Sequence, residues 1–289
     1  MPVLRRSECM GSESVDPSGE NDEEVVTVRS LSVGYKGRPV WKDANFSVKR
    51  GEFVAVIGPN GAGKTTLFRL LLGLQAPSSG IIRVFNSKPH RGNPKIGYVP
   101  QRHTIDNDTN IECMELVRLS YSGNKWGFSL SSGTERKAAA DALNAVDASD
   151  LSHKSLGSLS GGELQRIFLA EALIGNPEML LLDEPLSNLD VRRAKELVEL
   201  IGRVTKSRNV TTFLVAHDIN PMIRFLDKIV YIANGRVAMG TPGEILTSKR
   251  LTSLYGTHVE VLRDSMGHIL IHSLYGDEER HEGKNYVVH

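Results

Sequence analysis

The sequence predicts an α/β fold, a parallel sheet covered on both faces, with a helical lobe inserted between two α/β portions. Three observations predict it. Short continuous apolar runs, Phe53 to Ile57, Met179 to Leu182 and Thr211 to Ala216, have the texture of strands buried on both faces. Segments with apolar residues three or four apart follow such runs, as in Leu67, Leu70, Leu71 and Leu74 after Gly63. From about residue 106 to 160 the strand texture gives way to amphipathic helical stretches, IECMELVRLSY and ERKAAADALNAV.

Taken in order, residues 1–23 are polar, contain Gly, Pro and Ser and show no apolar period, so a disordered leader is expected there. A folded domain is expected over 24–245. It opens with β-rich runs, VVTVRSLSVGY from Val25, NFSVKRGEFVAVIG, GIIRVF and KIGYVP, punctuated by Gly34, Gly37 and Gly51. After the helical lobe, Glu163 to Ile174 and Arg193 to Val204 read as helices flanking the apolar run at Met179. A C-terminal extension, 246–289, returns to short alternating strands, HVEVLRD and HILIHSL. No internal repeat is visible, so one such unit is expected.

Composition bounds the function. A chain of 289 residues with 40% hydrophobic content can bury one large core with a smaller satellite. Lysine plus arginine number 35 against 34 acids, a balance that gives no reason to expect a nucleic-acid partner. Cys9 and Cys113 lie far apart in unlike contexts, which suits a reducing, cytoplasmic setting better than a disulfide framework; Cys113 reads as a small buried apolar residue. No stretch approaches the roughly 18 apolar residues of a membrane span, so a membrane role would require docking on other chains.

Gly58, Pro59, Asn60, Gly61, Ala62, Gly63, Lys64, Thr65 and Thr66 satisfy the phosphate-loop pattern G-x-x-x-x-G-K-[ST], set between an apolar strand and a helix. Glycines at 58, 61 and 63 let the backbone curl so that N–H groups face phosphate oxygens, with the helix N-terminus adding positive potential. Lys64 is then placed to neutralise the β- and γ-phosphates, and the Thr65 hydroxyl to bind Mg²⁺. Met179-Leu-Leu-Leu-Asp-Glu-Pro185 is an apolar strand tipped by two acids. Asp183 is the expected Mg²⁺ partner, through water, and Glu184, aimed differently by strand alternation, the expected base toward the water that attacks the γ-phosphate. These two motifs alone leave kinases, helicases and GTPases open.

Leu159-Ser-Gly-Gly-Glu-Leu-Gln-Arg166 narrows the choice, because it resembles the signature of the ATP-binding cassette (ABC) superfamily and precedes the acid-tipped strand, as in that family. Ser160 also suits a helix N-cap, and with Gly161 and Gly162 it forms a second anion site. The resemblance covers about residues 25–245. It implies a P-loop NTPase RecA-like core with a mixed sheet, an antiparallel β subdomain and a helical subdomain at about 106–160. It further implies ATP hydrolysis with Mg²⁺ in a head-to-tail homodimer, the signature of one copy meeting the nucleotide of the other. By the same resemblance Tyr35 stacks on adenine, Gln101 senses Mg²⁺ and meets the membrane subunit, Asp190 lies in the loop crossing the dimer seam, and His217 touches the γ-phosphate. Glu163 stands where the family usually has Gln.

Among ABC proteins this chain resembles the separate ATPase subunits of metal-ion importers, through Gly97-Tyr-Val-Pro-Gln101, Tyr121 to Trp126, Ala216-His-Asp-Ile-Asn-Pro221, Leu254-Tyr-Gly-Thr and Val259-Glu-Val-Leu262. The resemblance implies integral membrane permease subunits, an extracytoplasmic metal-binding protein, no nucleic acid, and a place on the cytoplasmic inner face of the cell membrane. Zinc or manganese is the implied cargo; an iron-siderophore or haem importer, and a soluble non-transport ABC ATPase, stay open. His258, His268, His272, His281 and His289 match no Zn²⁺ spacing and read as solvated or packing residues.

Overall fold

The computed structural model describes residues 24–35, 37–101, 109–122, 132–265 and 267–273. The expected leader, Cys9, the 123–126 part of the Tyr121 to Trp126 stretch, His281 and His289 lie outside the described residues.

The described residues run first through strands β1 (Glu24–Tyr35), β2 (Arg38–Lys49) and β3 (Phe53–Ile57), helix α1 (Lys64–Leu71), and strands β4 (Ser79–Val84) and β5 (Ile96–Val99). The helical lobe carries α2 (Cys113–Ser122) and α3 (Ser132–Ala145), and α4 (Gly161–Leu173) leads back to β6 (Met179–Asp183). Then come α5 (Val191–Arg208), β7 (Thr211–Val215), β8 (Lys228–Ala233) and β9 (Arg236–Gly240). Among the described residues α6 (Pro242–Ile245), α7 (Ser248–Tyr255), β10 (Val259–Arg263) and β11 (Ile269–Ser273) follow.

The central sheet has the order β5-β6-β7-β3-β8-β9, parallel except for the last pair. Every residue of β3, β6 and β7 is buried, and alternation divides them between two cores. Phe53, Ala55, Leu180, Leu182 and Leu214 face the core shared with α4, α5 and the lobe. Val54, Val56, Leu181, Phe213 and Val215 face the core shared with α1 and the antiparallel sheet β2-β1-β4. Burial on both faces is why these strands read as continuous apolar runs.

The lobe shares the first core, with Cys113, Val117, Ala139 and Leu143 in one cluster with Ile167 and Phe168 of α4. Cys113 is fully buried, burial pushes its thiol pKa up, and its Sγ–H donates to the Lys154 carbonyl at 3.2 Å.

NFSVKRGEFVAVIG divides into β2 and β3 at the expected punctuation, where the chain turns at Gly51 (φ 73°) and Glu52 Oε2 accepts from the Lys49 N–H at 2.9 Å. One expectation needs correcting. The extension does not begin with strands: Leu251 and Leu254 set a helical period, Thr247 caps α7 by accepting from the Arg250 N–H, and only then does the hairpin β10-β11 form. Leu251, Val259 and Ile269 join the core of the central sheet, which holds the extension against the domain.

Candidate functional site

The site is built at the carboxyl ends of the parallel strands, the usual ligand-binding edge of an open α/β sheet. Between β3 and α1 the chain passes through Gly58 (φ 151°) and Gly63 (φ 102°). A Cβ on Gly58 would lie 1.9 Å from the Ile232 carbonyl oxygen, and one on Gly63 2.5 Å from Val40 Cγ1. Gly63 is the N-cap of α1 in the left-handed region, and no side chain caps that helix. Its first-turn N–H groups, at the positive end of the helix dipole, have no intrahelical acceptor.

Lys64 folds back over this loop, its Nζ donating to the carbonyls of Gly58 (2.8 Å) and Pro59 (3.2 Å). The side chain is buried, and desolvation pulls its pKa below the ordinary lysine value against the opposing charges of Glu184 and Asp183.

Asp183 ends β6, two strands from the loop. It is 2% exposed, and its Oδ1 has no hydrogen-bond partner. Burial and then the charge of Glu184 push its carboxyl up to about 6, with Lys64, a hydrogen bond with Thr65, and Arg69 pulling the other way. A buried carboxylate with an orphaned oxygen beside a hydroxyl is a hard-oxygen donor set that suits a magnesium-sized ion. Arg69 was not singled out by motif; its only sequence signal is its place one helical turn after Thr65. It also reaches the Tyr35 hydroxyl, at 3.5 Å.

Glu184 has φ 54°, left-handed for a residue with a Cβ, and this turns its side chain out of the strand's alternation. Its N–H donates to the Val215 carbonyl (3.2 Å), and its own carbonyl accepts from the Ser187 hydroxyl (2.8 Å), which fixes the turn. The carboxylate is held from both sides. Gln101 Nε2 donates to Oε2 at 2.6 Å, and His217 Nε2 lies 3.0 Å from Oε1. Gln101 follows β5 and His217 follows β7, so three adjacent strand ends deliver three side chains to one point.

Tyr35, at the end of β1, is 43% exposed, its hydroxyl donating to Gln75. Ser160 and Asp190 stand apart from this cluster. Ser160 is the N-cap of α4 in a reciprocal capping box: its Oγ accepts from the Glu163 N–H (3.4 Å), and Glu163 Oε2 accepts from the Ser160 N–H (2.8 Å). That backbone bond, with help from Lys154, holds the Glu163 carboxyl down to about 2. Asp190 caps α5, accepting from the Arg193 N–H at 2.9 Å. Gly161 faces Leu189 and Gly162 faces Arg193, so the two helix starts are neighbours. Among the described residues no hydrogen bond or ion pair joins the side chains of Ser160 or Asp190 to Lys64, Asp183 or Glu184.

Residues 41–187, spanning the phosphate loop, the lobe and the acid-tipped strand, match the ABC transporter family. The chain belongs to that family. As an ABC ATPase it binds nucleotide and couples ATP hydrolysis to transport. It is 34% identical to the zinc import ATP-binding protein ZnuC of Pseudomonas syringae pv. syringae over 82% of this chain and 84% of that protein. It is 30% identical to the manganese transport system ATP-binding protein MntB of Bacillus subtilis, over 83% of this chain and 96% of that one. Among solved structures, a dimeric ABC cassette, MJ0796, matches with a TM-score of 0.64 at 28% identity, covering 75% of this chain and 98% of that one. A transporter of proposed metal-chelate type, captured inward-facing, matches with a TM-score of 0.72 at 27% identity over 88% of this chain and 98% of that one. No helix among the described residues of this ABC ATPase is long and apolar enough to cross a membrane.

Proposed function

We propose that this ABC ATPase powers an importer of zinc or manganese, working as a homodimer on the cytoplasmic face of membrane-spanning permease subunits supplied by an extracytoplasmic metal-binding protein. The observation that carries the hydrolytic part is the convergence of Gln101, Glu184 and His217 near the buried Lys64 and Asp183. The cargo rests on the zinc and manganese relatives, which resemble this chain over about four fifths of its length.

In this reading the loop from Gly58 to Thr66 and the Lys64 ammonium bind the β- and γ-phosphates, while Tyr35 lies under the adenine. Asp183, Thr65 and Gln101 would hold Mg²⁺, which supplies charge neutralisation to the phosphates. Glu184, steadied by Gln101 and His217, orients a water and takes its proton as the water oxygen bonds to the γ-phosphorus and the bridging bond to ADP breaks. His217, on the exposed rim, contacts the γ-phosphate. Ser160, Gly161, Gly162 and Asp190 complete the site for the nucleotide of the opposite copy. Loss of the γ-phosphate releases the two halves, and the Gln101 loop and helical lobe pass the movement to the permease.

A second reading, an importer of a metal chelate such as an iron-siderophore or haem, is favoured by the likeness to the inward-facing structure. Uptake assays in cells lacking the gene separate the two. Loss of radiolabelled zinc or manganese uptake is expected; loss of chelate uptake alone would select the second reading, and intact uptake of all would leave the transport proposal without support.

A further inference from the structure

The loop that follows β7 is tied to the C-terminal hairpin by one side chain. Asn220 Nδ2 donates to the Ile269 carbonyl (3.0 Å) and Asn220 Oδ1 accepts from the Ile269 N–H (2.7 Å). A side-chain amide thus pairs with the outer edge of β11 as a neighbouring strand's peptide group would. Its orientation is fixed, because Nδ2 also donates to Asp218 Oδ1 (2.9 Å), and the same oxygen accepts from the Asn220 N–H (2.9 Å). A flipped amide would set oxygen against two oxygens.

The hairpin itself is anchored. Val259 and Ile269 are buried in the main core, Thr252 Oγ1 accepts from the Val259 N–H (3.0 Å), and Ser248 Oγ accepts from the Val261 N–H (2.9 Å). At the other end of the linkage, Asp218 adjoins His217, whose Nε2 lies 3.0 Å from Glu184.

We propose that Asn220 is a positioning residue of the ATPase centre: by pinning the His217 loop to the tail hairpin it sets where His217 stands relative to Glu184, and makes the hairpin part of the hydrolytic machinery. The inference rests on the roles proposed for His217 and Glu184. A mere packing role is the alternative, since Ile219 and Met222 on the same loop are buried.

A double-mutant cycle in ATP turnover decides between them. Asn220→Ala in the full-length protein is expected to lower kcat about tenfold, with KM for ATP moving less than about twofold, since misplacing a catalytic group costs rate rather than binding. In a His217→Ala background the same change is expected to cost less than about twofold. An equal fold-loss in both backgrounds, or an unchanged kcat for Asn220→Ala alone, overturns the proposal. Wild-type turnover in the His217→Ala single variant would instead overturn the reading beneath it. Should Asn220→Ala not fold, the isosteric Asn220→Asp, which keeps the acceptor for the Ile269 N–H and loses the donor, is expected to give the same pattern.

Discussion

Two helix starts in this chain end alike in sequence, with Gly and a polar residue, and differ in chemistry. At α1 no side chain caps the helix and Lys64 is buried with depressed basicity, while Asp183, at the end of β6, is buried with an unpartnered oxygen. At α4 Ser160 and Glu163 cap each other, and the Glu163 carboxyl stays near 2 with Lys154 at its side. The first start sets an uncapped helix N-terminus and a buried ammonium near an unpartnered carboxylate oxygen, groups that a bound anion and cation would satisfy. The second is capped within one chain and sits beside the α5 start.

The contrast can be broken in several ways. Glu184→Gln removes the proposed base from the charged end while leaving its grip intact, so hydrolysis should fall by about two to four orders of magnitude with ATP binding retained. A long-lived ATP-bound dimer on a sizing column is the expected sign, and a fully active monomeric variant would remove Glu184 from the role. Lys64→Ala attacks the grip instead. Affinity for ATP should drop about a hundredfold or more, as for loss of a charge-assisted contact to phosphate, and retained tight binding in equilibrium titration would exclude the loop as the phosphate site.

Asp183→Asn sharpens the contrast through stability. The folded-state pKa of about 6 lies above the ordinary 3.8, so between those values the folded state holds a proton that the unfolded state has released, and Asp183 lowers stability as pH rises through that window. At pH 7.5, without nucleotide or Mg²⁺, the variant should be more stable by up to about 3 kcal/mol, a gain that vanishes below pH 3.8. Thermal melts across pH test this, and a destabilised variant at pH 7.5 would contradict it.

The smallest effect belongs to the α4 start. Glu163→Ala should cost about 1 kcal/mol by removing half of the capping box, and Glu163→Gln, whose amide oxygen can still accept from the Ser160 N–H, clearly less. Because the Glu163 pKa is depressed from 4.5 to about 2, its share of stability is present above pH 4.5 and is lost as pH falls toward 2. Equal melts for both variants and the wild type would show that the box does not hold the helix.

Much of this was legible in the sequence where a residue's role is local. The curl at Gly58 and Gly63, the buried strands and the Ser160 cap follow from patterns a few residues long. The antiparallel strands β8 and β9 and the helix α7 carried weaker signals: β8 pairs with β3 from far along the chain, and α7 shows only two buried leucines. The strained turn at Glu184 and the meeting of Gln101, Glu184 and His217 depend on which strands lie side by side, and spacing along the chain does not encode that order. Asn220 stood inside the Ala216 to Pro221 motif, but its contact was hidden for the same reason, since its partner lies in β11.

Whether the two helix starts of one nucleotide site come from different copies is tested most directly by mixing two inactive variants, Lys64→Ala and Ser160→Arg, each unable to hydrolyse ATP as a homodimer. A site shared across the seam gives the mixed dimer one intact pairing, Lys64 from one copy and Ser160 from the other, and hydrolysis should return on mixing. A mixture as inactive as either variant, with mixed dimers shown to form, would contradict the shared site.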